Sequence, residues 1–394
     1  MKAVILAAGE GKRLKPFTET MPKVMLPIAN KPILEYVIDS VKQCGIKEII
    51  LVVGYKKEVI MDYFKEYQGV TITYVVQEKQ LGTAHALLQA KDKLDDSFIV
   101  IFGDNIIDAI SIQRLINEPS EYCIVIKEHT NHSKYGVVVI EKTKLKELVE
   151  KPKTETGKYI STGIYKLPPS VFEIIENLAG EGIFTLSSVI QEVVDRGIAV
   201  QTIFANLWMD IVYPWDLIGV NEVMISQHPK STSGVIEKGV VMKGPVSIGK
   251  DTTIYSGCYI VGPVIIGNGC EIGPNVCIFP STIIGNNSSI SPFCEIRNSI
   301  IMEGVHLHSS SYLSHSIIAR GNTIASNFSN ITGKAIVETE DEFKKISIIG
   351  AMIGEDCIIG SNVVVEAGIT IGRRCRIDPL KKISKDIPSD SKVI

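Results

Sequence analysis

The strongest constraint on this chain is an apolar residue at every sixth position between residues 236 and 302. The series is unbroken and consists of Ile236, Met242, Ile248, Ile254, Ile260, Ile266, Ile272, Ile278, Ile284, Ile290, Ile296 and Met302. A second series follows after an interruption, with Ile353, Ile359, Val365, Ile371 and Ile377. This period predicts a prism of short parallel strands, each face one hexapeptide wide, in which equivalent residues of neighbouring coils stack on each other.

The position four residues after most members of the series is also small or apolar. Five of the eight cysteines occupy it, namely Cys258, Cys270, Cys294, Cys357 and Cys375. A buried cysteine behaves as a small apolar side chain, so we predict that these five fill the core of the prism. Because the sequence contains no C-x-x-C pair, we expect reduced thiols rather than disulfides or zinc ligands.

The first part of the chain has a different pattern, in which short apolar runs alternate with amphipathic stretches. Buried strands are predicted at 3–8, 48–53, 70–76 and 98–104. Between the first two, apolar residues recur at helical spacing from Ile33 to Val41, with Pro32 near the start and Gly45 beyond the end. This alternation predicts an α/β domain with a mostly parallel sheet, whose ligands bind beyond the carboxyl ends of the strands.

Two domains follow from the change of pattern. A polar stretch, SQHPKSTSG at 226–234, precedes the six-residue period. The predicted bounds are 1–222 for the first domain, 223–234 for a linker, 235–378 for the β-helix and 379–394 for a tail. Within the β-helix we expect an interruption by irregular coil and loop at about 303–346.

Composition excludes several classes of protein. With 394 residues, 45% of them hydrophobic and 22% charged, the chain is globular and long enough for two cores. A net charge of −3 gives no broad basic surface for nucleic acid. No apolar run approaches the roughly 18 residues of a membrane helix, and the apolar start is too short for a signal peptide. We therefore expect a cytoplasmic protein with neither nucleic acid nor membrane as a partner.

The first strand is followed by a glycine-containing loop with two cations. Gly9 and Gly11 allow backbone amides to approach phosphates, and Arg13 and Lys23 add positive charge. The loop is not a Walker motif, because no G-K-[ST] follows, and it is not G-x-G-x-x-G, because Leu14 stands at the third glycine position. A simple glycine turn with solvated charges is the alternative interpretation.

This loop and four later motifs resemble the signatures of the sugar-1-phosphate nucleotidylyltransferases. Leu6–Leu14 matches L-A-x-G-x-G-x-R-L, and Pro22–Ile28 matches P-K-x-x-x-P-I. The later motifs are QEKQLGTAHAL at 77–87, FGDN at 102–105, YGVV and VEKP within 135–152 with STGIY at 161–165, and WMDIVYPWDL at 208–217. The resemblance covers about the first 220 residues and implies a Rossmann-like nucleotidyltransferase domain.

The implied chemistry explains these residue types. A sugar 1-phosphate attacks the α-phosphorus of a nucleoside triphosphate in line, and pyrophosphate leaves. Since both reactants are anions, catalysis requires alignment and neutralisation of charge rather than a covalent intermediate. The resemblance assigns Arg13 and Lys23 to the triphosphate, and Asp104 and Asp210 to Mg²⁺, a hard ion that prefers oxygen ligands.

The resemblance also implies two sets of binding residues. The nucleotide set is Leu6, Ala7, Ala8, Gly9, Gly11, Gln77, Gly82 and Thr83. The sugar set is Gly136, Glu150, Lys151, Ser161 and Thr162, with Lys151 in reach of the sugar phosphate. Ser161 departs from the Asn usual in members that use N-acetylglucosamine, although serine still donates and accepts a hydrogen bond. His85 is expected to be a packing or capping residue.

The segment QEKQLGTAHA is especially similar to bifunctional enzymes that make UDP-N-acetylglucosamine. In those enzymes a left-handed β-helix follows the nucleotidyltransferase, and the left hand and a homotrimer are implied here only by that resemblance. UTP with N-acetylglucosamine 1-phosphate is therefore preferred. A glucose-1-phosphate thymidylyl- or uridylyltransferase with a structural β-helix is an alternative, and so is a silent sugar-nucleotide-binding regulatory subunit. The presence of all four charged residues, Arg13, Lys23, Asp104 and Asp210, favours the enzyme.

The stretch HLHSSSYLSH at 306–315 raises a second hypothesis, acetyl transfer from acetyl-CoA to glucosamine 1-phosphate. The motif of the bifunctional enzymes resembles H-L-S-Y, and Tyr312 fits it, but His308 stands four residues before this tyrosine rather than three. The candidate residues are His308, Tyr312, Asn330 and Lys334. The alternatives are a metal site at His306, His308 and His315 or a degenerate surface, in which case the β-helix only assembles subunits.

Overall fold

The computed structural model describes residues 1–129, 134–152, 157–339 and 343–394. The chain forms two compact units. The first contains Met1–Glu10, Met21–Met25 and Pro32–Asp210, and the second contains Gly11–Thr20, Leu26–Lys31 and Ile211–Ile394. Across the described ranges no helix is both long enough and apolar enough to cross a bilayer. The second unit thus includes two short segments from the amino-terminal part of the chain, which lie inside the predicted first domain.

The elements before residue 230 agree with the predicted alternation of strands and helices. The strands are β1 (Ala3–Ala7), β2 (Pro27–Ile28), β3 (Lys31–Pro32), β4 (Glu48–Val53), β5 (Thr71–Val76), β6 (Phe98–Phe102), β7 (Asn105–Ile107), β8 (Cys123–Glu128), β9 (Gly136–Glu141), β10 (Lys144–Glu150), β11 (Tyr159–Leu167), β12 (Gln201–Phe204) and β13 (Trp208–Asp210). The α-helices are α1 (Ile33–Gln43), α2 (Lys57–Tyr63), α3 (Thr83–Leu88), α4 (Ala109–Asn117), α5 (Val171–Gly180), α6 (Leu186–Asp195) and α7 (Asp216–Ser226). Short 3₁₀ helices lie at Lys12–Leu14, Lys23–Met25 and Lys91–Lys93.

The first unit is built on a nine-stranded sheet with the order β5-β4-β1-β6-β11-β8-β12-β10-β9. The four strands predicted from sequence are parallel, and the later strands make the sheet mixed, because β11 runs antiparallel to β6 and β8. Strand β1 is central and fully buried. Its alternate residues pack on opposite faces, Val4 and Leu6 in one core and Ala3, Ile5 and Ala7 in the other. This burial on both faces explains the continuous apolar run.

From residue 235 onward the second unit consists of short strands, which run parallel and form a prism except for one antiparallel pair. They are β14 (Val235–Ile236), β15 (Val241–Lys243), β16 (Val246–Ile248), β17 (Thr253–Ile254), β18 (Tyr259–Val261), β19 (Val264–Ile266), β20 (Glu271–Ile272), β21 (Cys277–Ile278), β22 (Thr282–Ile284), β23 (Ser289–Ile290), β24 (Glu295–Arg297), β25 (Ile300–Ile301), β26 (His306–Leu307), β27 (Tyr312–Ser314), β28 (Ile317–Ile318), β29 (Thr323–Ile324), β30 (Ser329–Asn330), β31 (Gly333–Glu338), β32 (Phe343–Ile349), β33 (Met352–Ile353), β34 (Ile358–Ile359), β35 (Val364–Val365), β36 (Thr370–Ile371), β37 (Arg376–Ile377), β38 (Lys382–Ile383) and β39 (Lys392–Val393). Three sheets form the faces, with the orders β14-β17-β20-β23-β26-β29-β34-β37-β39, β15-β18-β21-β24-β27-β30-β35-β38 and β16-β19-β22-β25-β28-β33-β36.

Equivalent residues of successive coils stack as the period predicts. Ile254 pairs with Ile272, and Ile260 with Ile278, one coil further along. The members of the series other than Met302 line one continuous core together with Cys258, Cys270, Cys294, Cys357 and Cys375, and all eight cysteines are free thiols. Burial raises the pKa of the Cys294 thiol to about 11, which suppresses its thiolate. The cysteines of this position are therefore structural.

The structure corrects the predicted register after residue 296. Ile284 pairs with Ile301 and Ile290 with Leu307, so these coils are one residue shorter than the preceding ones. The inner position belongs to Ile301 rather than to Met302, the residue that the six-residue series predicts. The coil is one residue shorter at a corner of the prism, where Asn298 has a φ of 36°. A corner can shorten in this way because its residues are not held in a strand ladder.

The predicted irregular coil at 303–346 is also wrong over most of its length. Strands β26 to β30 continue the three faces in register through residue 330. Among the described residues of this stretch only β31 and β32 leave the prism, as an antiparallel pair, and residues 340–342 lie outside the described ranges. The predicted tail is likewise an ordered coil, since β38 pairs with β35 and β39 with β37. The six-residue pattern fails in these segments because of short corners and polar inner residues, whereas the ladder of backbone hydrogen bonds continues.

The revised register makes a prediction for two adjacent residues. Leu307 points into the core and its neighbour His306 is exposed. Leu307→Ala should lower the free energy of unfolding by about 2–5 kcal/mol, because it leaves a cavity. His306→Ala should change it by less than about 0.5 kcal/mol. Urea unfolding followed by circular dichroism measures both, and equal losses for the two variants would contradict this register.

Candidate functional site

A buried lysine lies between two aspartates in the first unit. Lys23 begins a 3₁₀ helix, Asp104 follows β6, and Asp210 ends β13. Strand β13 pairs with β7 so that Asp210 lies opposite Asn105, which brings it beside Asp104. The Nζ of Lys23 lies 2.6 Å from Oδ2 of Asp104 and 3.5 Å from Oδ1 of Asp210. Three segments far apart in sequence thus meet beyond the carboxyl end of a central parallel strand.

Burial and charge act in opposite directions on this lysine. Only 13% of the Lys23 side chain is exposed, and this burial alone would lower its pKa. The charges and hydrogen bonds of Asp104 and Asp210 outweigh that effect, so the pKa lies above its ordinary value and the side chain remains an ammonium. The site therefore holds a fixed cation at every physiological pH.

The same two carboxylates suit a hard divalent cation. Their oxygens converge on one point, the Lys23 ammonium. In the ranges that the structure describes, no group of three or more His, Cys, Asp or Glu side chains could hold a metal ion. Mg²⁺ typically binds one or two carboxylates and completes its shell with water and substrate phosphates. Asp104 and Asp210 fit this kind of ion.

The glycine loop begins at the carboxyl end of β1. Leu6, Ala7 and Ala8 are buried, and a Cβ at Gly9 would meet no atom within 4 Å, so packing within the chain does not require this glycine. Gly11 has a left-handed φ of 72°, a conformation that glycine adopts without strain. Arg13 follows it in the 3₁₀ helix Lys12–Leu14.

The predicted nucleotide and metal residues are divided between the two units. Contacts group Lys23, Asp104 and Asp210 with the sheet of the first unit. The same grouping assigns Gly11 and Arg13 to the second unit. The structure therefore brings together one predicted cation and both predicted metal ligands, whereas the segment that carries Arg13 packs within the second unit.

The predicted base-binding segment is held by hydrogen bonds between its side chains and the backbone. Gln77 is almost fully buried, and its Nε2 donates to the carbonyl of Gly82 at 3.2 Å and lies 2.9 Å from Nδ1 of His85. A Cβ at Gly82 would lie 2.4 Å from the carbonyl oxygen of Phe184, so only glycine fits there. The Oγ1 of Thr83 accepts a hydrogen bond of 2.9 Å from the backbone amide of Leu186, the first residue of α6. His85 holds Gln77 and packs edge-on against Phe184, as expected for a packing residue.

The first two predicted sugar residues lie side by side on adjacent strands. Gly136 on β9 pairs with Glu150 on β10, and a Cβ at Gly136 would lie 3.3 Å from the Glu150 carboxylate. That carboxylate accepts a hydrogen bond of 2.6 Å from the Oγ of Ser187. The Nζ of Lys151 lies 3.9 Å from Glu150, and its side chain is more than half exposed. A carboxylate and an accessible ammonium thus stand together here.

Ser161 and Thr162 lie on β11 and are buried. The Oγ of Ser161 is 3.0 Å from the hydroxyl of Tyr165, a residue that sequence reasoning did not select. Burial, and to a lesser extent the charge of Glu150, raises the pKa of Tyr165 to about 12, while its hydrogen bond with Ser161 opposes this. The Oγ1 of Thr162 donates to the carbonyl of Val125. Tyr165 and Ser187 thus contact two members of the predicted sugar set.

The histidine stretch spans two faces of the β-helix. His306 and His308 are exposed, and the Nδ1 of His306 lies 2.7 Å from the Oγ of Ser289. Tyr312 is half-buried on the next face. His315 lies at a shortened corner, where burial lowers its pKa and the charge of Glu222 opposes that shift. The three histidines do not form a metal-binding group with other His, Cys, Asp or Glu residues of the described chain.

The two remaining acetyltransferase candidates occupy different environments. Asn330 is buried. Its Oδ1 accepts a hydrogen bond of 2.8 Å from the backbone amide of Ser314, and its Nδ2 donates one of 2.9 Å to the Ser314 carbonyl. Its side chain therefore replaces an apolar inner residue and braces the neighbouring coil. Lys334 is exposed on the hairpin strand β31.

Comparison with known proteins agrees with both units. Residues 2–227 match the nucleotidyl transferase family, residues 260–349 match the GMPPB C-terminal domain, and residues 350–383 match the bacterial transferase hexapeptide of six repeats. The match to the hexapeptide family confirms the predicted repeat.

Relatives of similar length match almost the whole chain. The bifunctional protein GlmU of Methanococcus maripaludis strain S2 is 38% identical over 409 residues, which cover 99% of this chain and 96% of that protein. A bifunctional sugar-1-phosphate nucleotidylyltransferase/acetyltransferase of Sulfurisphaera tokodaii is 34% identical over 415 residues and 98% of each chain.

A solved structure supports the fold of the first part of the chain. A UDP-glucose pyrophosphorylase complexed with UDP-glucose superimposes with a TM-score of 0.52 and 24% identity, over 58% of this chain and 99% of that one. The chain therefore belongs to the nucleotidyl transferase family, as a sugar-1-phosphate nucleotidylyltransferase that continues into a left-handed parallel β-helix of hexapeptide repeats.

Proposed function

We propose that the chain joins UTP to N-acetylglucosamine 1-phosphate and releases UDP-N-acetylglucosamine and pyrophosphate, with Mg²⁺ as cofactor. The observation that carries this proposal is the convergence of Lys23, Asp104 and Asp210 on one point. The similarity to GlmU over the full length supports the choice of substrates. UTP and sugar phosphates are metabolites of the cytoplasm, where we place the protein.

The reaction needs charge neutralisation and alignment from these residues. An oxygen of the sugar phosphate forms a bond to the α-phosphorus of UTP, while the bond from that phosphorus to the pyrophosphate oxygen breaks. The ammonium of Lys23 and the guanidinium of Arg13 stabilise the negative charge of the phosphates. Asp104 and Asp210 would hold Mg²⁺, which would neutralise further charge. No side chain needs to form a covalent bond with the substrate.

The sugar is held by the polar group around Glu150. In this proposal the Glu150 carboxylate accepts a hydrogen bond from a sugar hydroxyl, and Lys151 binds the sugar phosphate. Ser161 and Thr162 lie beside the sugar ring. Ser187 and Tyr165 orient Glu150 and Ser161 through their hydrogen bonds. Members that use N-acetylglucosamine usually have Asn at the position of Ser161. For this reason glucose 1-phosphate, with UTP or dTTP, is the second candidate substrate.

A prediction for this site concerns the two carboxylates. Asp104→Asn and Asp210→Asn should each lower kcat/KM for pyrophosphate release by about 100-fold or more, because each removes a charge that faces the cation site. Asp92, an exposed aspartate of the same unit, supplies the control, and Asp92→Asn should retain full activity. The assay pairs UTP and dTTP with the 1-phosphates of glucose, glucosamine and N-acetylglucosamine.

Activity in this panel decides the substrate as well. The highest kcat/KM should be found with UTP and N-acetylglucosamine 1-phosphate. If glucose 1-phosphate is the better substrate, the proposed sugar is wrong. If the unmodified protein releases no pyrophosphate with any pair, the proposed reaction fails.

We further propose that the β-helix acetylates glucosamine 1-phosphate with acetyl-CoA in a homotrimer. The relative from Sulfurisphaera tokodaii, which carries acetyltransferase in its name, spans the β-helix as well as the first domain. The substrate amine attacks the thioester carbonyl, the C–N bond forms, the C–S bond breaks, and the thiol of CoA leaves. His308 has an exposed imidazole able to take the proton that the amine loses.

A further prediction separates the two activities. His308→Ala should lower acetyl-CoA consumption with glucosamine 1-phosphate by about 100-fold or more, the usual range for loss of a general base. Pyrophosphate release should not change in this variant. His306→Ala, which alters an exposed histidine two residues away, should leave both rates intact. Normal acetyl transfer by His308→Ala would rule out His308 as the base.

A further inference from the structure

The loop that carries Arg13 is tied to the last coil of the β-helix. Both segments belong to the second compact unit. The Oγ of Ser389 lies 3.1 Å from Oε1 and 3.0 Å from Oε2 of Glu19. The Nε of Arg373 lies 3.8 Å from Oε2 of the same carboxylate. One glutamate near the amino terminus thus contacts two residues near the carboxyl terminus.

The two partners of Glu19 are held rigidly by the prism. The backbone amide of Arg373 donates to the Oγ of Ser389 at 3.1 Å, and the amide of Asp390 donates to the carbonyl of Arg373 at 2.8 Å. A Cβ at Gly372 would lie 2.3 Å from the amide nitrogen of Ser389, so the two backbones are in close contact. These contacts link Arg373 and Ser389 to each other within the coil.

On the loop side, a second contact closes the segment that contains Arg13. Thr18 is fully buried, and its Oγ1 donates to the carbonyl of Gly11 at 2.9 Å. Phe17 is also buried, and its amide donates to the carbonyl of Leu14. The segment 11–18 is therefore a closed turn, and Glu19, the next residue, connects this turn to the β-helix.

We infer that Glu19 is a positioning residue for nucleotide binding: with Ser389 and Arg373 it holds the loop 11–20 in place, and thereby the backbone of Arg13. This inference rests on the proposed function, in which Arg13 binds the triphosphate. A loop that is ordered before the substrate arrives does not lose its conformational freedom on binding.

The test uses Glu19→Gln and Ser389→Ala in the full-length protein. Hydrogen exchange of peptides from the loop 11–20 should be faster in both variants. The KM for UTP should rise about tenfold in Glu19→Gln, because a hydrogen bond to a charged group is lost, while the KM for the sugar phosphate stays unchanged. Combining the two substitutions should add little, since both break the same contact.

A matched control distinguishes this effect from general damage to the β-helix. Glu366 forms an ion pair of 2.6 Å with Lys382 on the same prism. Glu366→Gln should therefore leave both loop exchange and the KM for UTP unchanged. A thermal melt of each variant checks that the β-helix is intact.

Three results would overturn the inference. They are unchanged exchange of the loop in Glu19→Gln, an unchanged KM for UTP, or an equal rise in both KM values. If the unmodified protein releases no pyrophosphate with any substrate pair, the proposed function fails separately. The affinity for Mg²⁺-UTP, measured by calorimetry in the same variants, then replaces KM, and an unchanged affinity rejects the positioning role.

Discussion

The site of the first unit depends on one buried cation between two carboxylates. Removing Lys23 from water is costly, and the contacts with Asp104 and Asp210 offset this cost. The three residues come from a loop, from the end of a central strand and from a two-stranded ladder. Each of these elements must therefore be folded correctly before the cation is stable. We propose that the same convergence also creates a place for phosphate anions and a divalent ion.

The β-helix obeys a simpler constraint, in which each inner residue stacks on its equivalent in the next coil. Changes are tolerated at corners but not in the ladder, as the short corners at Asn298 and His315 show. The shortening of the coil by one residue matters for chemistry because it determines which side chains face inward. It places Leu307 in the core and leaves His306 and His308 on the surface. An extrapolation of the six-residue period that ignores the shortened coil would place His308 instead of Leu307 in the core.

Periodic features could be predicted from the sequence, and contacts between distant residues could not. The strand before Asp104, the helix from Ile33 and the inner position of the prism all follow from local spacing, and the structure agrees with them. The register after Ile296 was predicted wrongly because Ile301 and Met302 are both apolar. The apolar pattern therefore does not show that the spacing between inner residues falls from six to five at this corner. Tyr165, Ser187 and Glu19 were missed for a different reason. Their partners lie on other elements, and only the folded chain brings them together.

The central claim is that Asp104 and Asp210 form one cation site together with the phosphates of the nucleotide. The most direct test is the binding of Mn²⁺, as a spectroscopic substitute for Mg²⁺, followed by electron paramagnetic resonance with a non-hydrolysable UTP analogue present. The account predicts one tight Mn²⁺ per chain and at least about tenfold weaker binding in Asp210→Asn, since one of two protein ligands is lost. Equal Mn²⁺ affinity in the unmodified protein and in Asp210→Asn would contradict it.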